Sequence, residues 1–304
     1  METMRNKKSI VLFFSILLAL LLCSGIFALI VSALDEPNED NVVASVTIGD
    51  STTYYSNLSD AMNAWGDGTL TLLKDVSGTQ ITVTSGTKVL DLNNHSITYT
   101  GGSVVFINGG ALTIQDTSPT KTTHYYIPNQ TGVATLSDTP TDYFFTGGYI
   151  TNGGYYVARG GGLHITGGDV VFSSGTIFAN SAGWGGGIYT AGESGSLTIE
   201  GSAAVIGNYS SGDWTSGGGA FFEGKFLVKM TGGSIRHNSA QYNGGGFRDN
   251  LTNGGMFEMT GGEITGNYSG NDQGNGFCFD QATTFHIGGT ARITGNQGTK
   301  SCDS

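Results

Sequence analysis

Charge is scarce in this 304-residue chain: Asp, Glu, Lys and Arg together make 12% of it, and the formal balance is −11. A surface with few charges and that sign repels phosphate backbones and anionic headgroups, which excludes nucleic acid as a partner. Three cysteines, Cys23, Cys278 and Cys302, are too few for a disulfide scaffold. Cys278, between Phe277 and Phe279, reads as a small core residue in a strand, with a bridge to Cys302 as the alternative. His95, His124, His164, His237 and His286 never come within four residues of one another, so no metal-ligand spacing is present and neither metal nor cofactor is expected. Helical periodicity is missing too. After residue 70 no 3.6-residue apolar pattern runs long enough for a helix.

What the chain has is a repeat. Ile177, Val205, Ile235, Ile264 and Ile293 are each followed three positions later by an asparagine: Asn180, Asn208, Asn238, Asn267 and Asn296. Successive asparagines are 28, 30, 29 and 29 residues apart, a period that marks a stack of structural layers. Glycine runs recur in step: Gly160–Gly162, Gly185–Gly187, Gly217–Gly219, Gly244–Gly246 and a degraded Gly274-Asn275-Gly276. Between run and asparagine lie short alternating stretches such as Leu197-Thr198-Ile199 and Met256-Phe257-Glu258-Met259, which read as strands separated by glycine turns. Three strands and three turns in about 29 residues make one coil of a single-stranded parallel β-helix, an all-β solenoid. Asn at a repeated turn can hydrogen-bond both neighbouring coils, so the five asparagines are assigned a structural ladder rather than a ligand row.

The first 33 residues stand outside this pattern. Arg5, Lys7 and Lys8 precede an apolar run from Ile10 to Ala33, and Val31-Ser32-Ala33 offers small residues for cleavage before Leu34. That reads as a secretory signal peptide, with an uncleaved signal anchor as the alternative. Removing it makes the remainder more acidic, because three basic residues outweigh Glu2. Residues 34–42 are a linker. Residues 43–117 keep short alternating strands without the Asn repeat, and hold one helical candidate, Asn57–Trp65, capped by Ser56 or Ser59 with Leu58, Ala61, Met62 and Trp65 on one face. This helix is expected to cap the first coil. Residues 118–158 carry Pro119, Pro128 and Pro140, three of the four prolines, and read as an excursion, a long loop or extra hairpin between coils. Residues 159–304 are the regular coils.

Several blocks resemble a known group. Tyr54-Tyr55-Ser56-Asn57-Leu58-Ser59-Asp60-Ala61, Leu70-Thr71-Leu72-Leu73-Lys74-Asp75, Leu90-Asp91-Leu92-Asn93-Asn94-His95-Ser96-Ile97-Thr98 and Asn108-Gly109-Gly110-Ala111-Leu112-Thr113-Ile114-Gln115-Asp116 look like successive blocks of secreted bacterial right-handed parallel β-helix proteins termed adhesin-like. The Gly-Gly-Gly-x-aromatic and Ile-x-x-Asn blocks are similar to the repeat of chlamydial polymorphic membrane proteins, which are adhesins. The resemblance covers about 45–117 and 145–300. It implies a right-handed β-helix and a secreted or cell-surface location. A C-terminal membrane barrel and a sorting motif are absent, and the chain stops just after a coil, so it is expected to be a piece of a longer protein.

Two functions from different classes follow. The first is a non-catalytic, adhesin-like surface protein binding host or microbial glycans, mucins or surface proteins through loops on one edge. Between each Asn and the next glycine run, segments of varying length carry Trp184, Tyr209, Trp214, Tyr242 and Tyr268, aromatics suited to stacking on sugar rings or anchoring a protein. The second is a carbohydrate-active enzyme, a polysaccharide lyase or glycoside hydrolase, which needs converging carboxylates. The best such grouping is Arg248-Asp249 with Asp272 and Asp280, and no catalytic residue is assigned from it.

Overall fold

A computed structural model describes residues 41–154, 159–211, 216–252, 254–271, 274–279 and 284–298. They are almost entirely β, and the single helix among them is α1, Leu58–Ala64. The signal segment and Trp214, Asp272, Asp280 and Cys302 lie outside the described residues.

From Gly68–Leu72 onward, apart from one antiparallel sheet within Thr123–Thr146, the strands pair in parallel, and each repeat feeds the sheets in the same order. In one repeat Ile188–Thr190 and Ser196–Ile199 enter a 15-stranded sheet, Ala204–Ile206 enters an eight-stranded sheet, and Tyr209–Ser210 enters a five-stranded sheet. The repeat therefore uses four strand segments, two of them in one sheet, where the sequence pattern suggests three strands. In the eight-stranded sheet Ile97, Ile150, Ile177, Val205, Ile235, Ile264 and Ile293 are in register. All but Ile293 are completely buried. A strand sends successive side chains to opposite faces, so this ladder points into the core while its neighbours on either side point out.

The asparagines sit at the corner between the eight- and five-stranded sheets and form the expected ladder. The Asn208 side-chain oxygen accepts from the Asn180 backbone N–H at 2.9 Å and from Asn180 Nδ2 at 3.0 Å. Its amide nitrogen donates to the Ile177 carbonyl at 3.0 Å and to Asn238 Oδ1 at 2.9 Å. The same pattern repeats at Asn238 and Asn267 and ends on Asn296. Each corner turns because the residue before the Asn is left-handed: Ala179, Gly207, His237, Gly266 and Gly295 have φ between 53° and 64°. The glycine runs face this ladder. A Cβ on Gly187, Gly219 or Gly246 would lie within 3.0 Å of Asn208, Asn238 or Asn267 Nδ2, and closer still to a carbonyl of the next layer. Their absence of a side chain is a packing requirement. Asn208 and Asn267, both glycosylation sequons, are fully buried, which removes them as acceptors in the folded chain.

The N-terminal part departs from expectation in two places. Ala44–Ile48 pairs antiparallel with both Ser51–Tyr55 and Gly68–Leu72, so the parallel stacking begins only at Gly68–Leu72 and Thr87–Asp91. Helix α1 is capped by Asn57 rather than a serine: the Asp60 backbone N–H donates to Asn57 Oδ1 at 2.8 Å. The helix lays Leu58 and Ala61 on the core beside Trp65, as its apolar face requires. The excursion is also shorter than 118–158. It is a three-stranded antiparallel sheet, Thr123–Ile127, Thr135–Ser137 and Phe144–Thr146, and Tyr149–Thr151 already belongs to the eight-stranded sheet.

Candidate functional site

The excursion lies on the outer face of the eight-stranded sheet. Tyr126 and Phe145 from the excursion pack with Phe178, Ala179, Ala204 and Ile206 from the sheet in a second apolar cluster. Fully burying an aromatic or Ile side chain contributes roughly 1.5–3 kcal/mol, so four such groups (Tyr126, Phe145, Phe178 and Ile206) suffice to hold a sheet of this size down. Polar contacts set its position. The Ala134 N–H donates to the Gly207 carbonyl at 2.8 Å, Ser239 Oγ to the Gly132 carbonyl at 3.0 Å, and Arg236 Nη2 to the Phe144 carbonyl at 3.0 Å. Tyr126 Oη and His237 Nδ1 are 2.6 Å apart.

On one side of the excursion this arrangement forms an open cleft of about 280 Å³ lined by Pro128, Asn129, Gln130 and Tyr143 on one hand and by His237, Asn238, Gly266, Tyr268, Gly295 and Gln297 on the other. Two tyrosines, a histidine and four amide residues (Asn129, Gln130, Gln297 and the ladder's Asn238) line one space, and no carboxylate lines it. Such a set offers ring faces for the C–H surface of a sugar and paired donors and acceptors for its hydroxyls. Tyr143 is 41% exposed and available to solvent.

Of the edge aromatics, Tyr268 is in this cleft. Tyr209 shares its register two layers away, with Ser239 between them, so their Cα positions are separated by about 10 Å. The excursion crosses that interval at Gly132. Trp184 is not brought to them. It pairs with the 15-stranded sheet's outer face, its ring 6.0 Å from Phe221 and under the Arg159 guanidinium at 4.8 Å. Tyr242 is half-buried on the segment between the five-stranded sheet and its glycine run, where its carbonyl accepts from Asn271 and Ser269. Trp214 lies outside the described residues.

Sequence reasoning missed Tyr143, Asn129 and His237. The signal for His237 was present: at the left-handed position before each Asn the chain uses glycine three times, and only Ala179 and His237 break the rule. Both carry the left-handed φ that side chains disfavour, typically at about 1–2 kcal/mol, and both touch the excursion.

Burial and the neighbouring Arg236 charge push the His237 imidazole down to about 4, and burial raises the Tyr126 phenol to about 12. His124, stacked on Phe145 at 5.0 Å, is likewise lowered by burial. Both histidines are held neutral in the fold, below an unfolded value near 6.5. The sign follows: their contribution is fully present above pH 6.5 and is lost as pH falls below it, for His237 down to about 4. Protection factors against hydrogen exchange at Tyr125–Ile127, corrected for the pH dependence of intrinsic exchange, are expected to fall across that interval while those of the Ile177–Ile264 ladder hold. A flat profile at Tyr126 would show that the excursion does not sense these histidines.

Of the enzymatic grouping only Arg248 and Asp249 fall among the described residues. Arg248 and Asp249 are adjacent in one strand and so face opposite sides, Asp249 in register with buried Phe222 and Arg248 with Phe221. Cys278 pairs with Arg248 in that register and is half-buried, so it takes the outward side, while its neighbours Phe277 and Phe279 pack on the core. No group of three His, Cys, Asp or Glu side chains suited to a metal ion occurs among the described residues. Among them, too, no helix is long and apolar enough to cross a membrane. No protein-family model, curated protein or solved structure matches this chain.

Proposed function

We propose that this chain is an exported, surface-displayed right-handed parallel β-helix that adheres to glycans through the cleft between its excursion and its asparagine corner. The observation that carries the reading is the meeting of Tyr143 from the excursion with Tyr268 from the repeat in one carboxylate-free cleft lined by amides. A scaffold whose layers hydrogen-bond only to the next layers is stiff, so recognition falls to what is laid on its surface. The acidic chain gives no general attraction to polyanions, and contact in this cleft rests on ring stacking and neutral hydrogen bonds. Its ligands are then neutral sugars of host or microbial glycans, mucin chains among them. The apolar run and Val31-Ser32-Ala33 supply export. The second reading, a carbohydrate-active enzyme, has no observation in this cleft to favour it.

A panel of immobilised glycans tests this. Tyr268→Ala is expected to weaken capture at least tenfold, about 1.4 kcal/mol, with the melting temperature within a few degrees of the parent. Unchanged capture by Tyr143→Ala and Tyr268→Ala would sink the site.

A further inference from the structure

The other side of the excursion holds a second groove of different character. Its volume is about 200 Å³, and its walls are Phe144, Phe145 and Thr146 from the excursion against Thr176, Ser202, Ala204 and Ser234, with Lys121 and Arg236 also facing it. Two cations in one groove are unusual in a chain this poor in basic residues, and no carboxylate lines the space. The two are not equivalent. Lys121 Nζ is 2.8 Å from Asp116 Oδ2, whose side chain is completely buried, so its charge is neutralised within the protein. Burial pushes the Asp116 carboxyl up, but hydrogen bonds from Lys121 and from the Gly148 and Asn94 backbone, with the Lys121 charge, outweigh it and hold it below the usual range.

Arg236 has no such partner. Its side chain's only hydrogen bond among the described residues runs from Nη2 to the Phe144 carbonyl, and its buried Nε–H has no acceptor. The adjacent His237 is held neutral by burial and by Arg236 itself and supplies no counter-charge. That Nε–H is closed to solvent, so it is the guanidinium charge lining the groove, with no carboxylate paired to it among the described residues, that calls for a partner, and a planar carboxylate is the ligand that matches it.

We propose that this groove binds one uronic acid residue, its carboxylate on Arg236 and its hydroxyls on Thr146, Thr176, Ser202 and Ser234. One unpaired cation matches a singly charged carboxylate better than a phosphate dianion. The volume is smaller than the roughly 300–1,000 Å³ of sites for drug-sized ligands, which suits a single ring. The inference rests on the glycan reading only in taking a sugar as ligand. Tyr268 belongs to the other cleft, so the two fail separately.

Calorimetric titration of the purified protein with the methyl glycosides of glucuronic and galacturonic acid, of glucose and galactose, and with acetate decides it. The uronides are expected to bind at least tenfold more tightly than the neutral glycosides and than acetate. Arg236→Gln should abolish that preference, and Tyr268→Ala should leave it intact. Ser202→Tyr, at an exposed position that leaves Arg236 in place, should block uronide binding by filling the groove. Neutral glycosides or acetate binding as well as the uronides would overturn the proposal. So would undiminished uronide binding by Arg236→Gln, or by Ser202→Tyr should the arginine variant not fold.

Discussion

Asn208→Leu is expected to cost about 3–5 kcal/mol of unfolding free energy. The side chain is completely buried and makes four hydrogen bonds across two layer junctions. Leucine, though of similar size, replaces none of them. The Asn180 backbone N–H loses its acceptor and the Ile177 carbonyl loses the Asn208 donor, in a place water cannot reach. Each buried group orphaned this way costs about 1–3 kcal/mol. Against a typical total of 5–15 kcal/mol, one substitution removes a large part of the stability. Asn296→Leu provides the control, because that asparagine is half-buried and ends the ladder. Its loss should cost about 1 kcal/mol. Urea unfolding of the two variants measures both, and equal small losses would show that the ladder does not hold the layers together.

Gly219→Ala should be nearly as damaging for a steric reason. An added Cβ would lie 2.4 Å from the Gly246 carbonyl oxygen, 2.9 Å from Asn238 Nδ2 and 2.9 Å from the Ile235 side chain. The first of these is backbone of the next layer, which moves only if the stack parts. Overpacking a core commonly costs 1–3 kcal/mol, and here the strain also falls on the asparagine ladder, so about 3 kcal/mol or more is expected. Gly49→Ala separates this from conformational preference: Gly49 has φ of 58° with nothing within 4 Å of the added Cβ. That change carries only the left-handed penalty of about 1–2 kcal/mol. If both alanines cost the same, the glycine runs serve backbone conformation and not the packing against asparagine.

The repeat was legible because each layer obeys one set of contacts, so Ile177-x-x-Asn180 and its successors recur with the period of the stack. Ladder, corner and glycine run all follow from residues within one period. What was not legible depends on contacts between segments of different kind. The excursion's docking is written in Thr176-Ile177-Phe178 and Ala204-Val205-Ile206, where Phe178 and Ile206 are apolar at outward positions, unlike Glu263-Ile264-Thr265 in the uncovered part of the same sheet. An apolar residue at the outward position after the core Ile or Val signals a covered face. The antiparallel start had a cue in Gly49-Asp50, a two-residue hairpin turn between Ile48 and Ser51. Tyr143 had none, since its partner Tyr268 lies far along the chain and only the docked excursion brings them to one cleft.

Mapping of chemical shifts on addition of neutral oligosaccharides tests the central claim, that the excursion and the repeat together form the binding cleft. The account predicts that ring resonances of Tyr143 and Tyr268 and the amides of Asn129, Gln130 and Gln297 move together, with Trp184 unaffected. Shifts confined to Trp184 and its neighbours, with Tyr143 and Tyr268 unmoved, would contradict it.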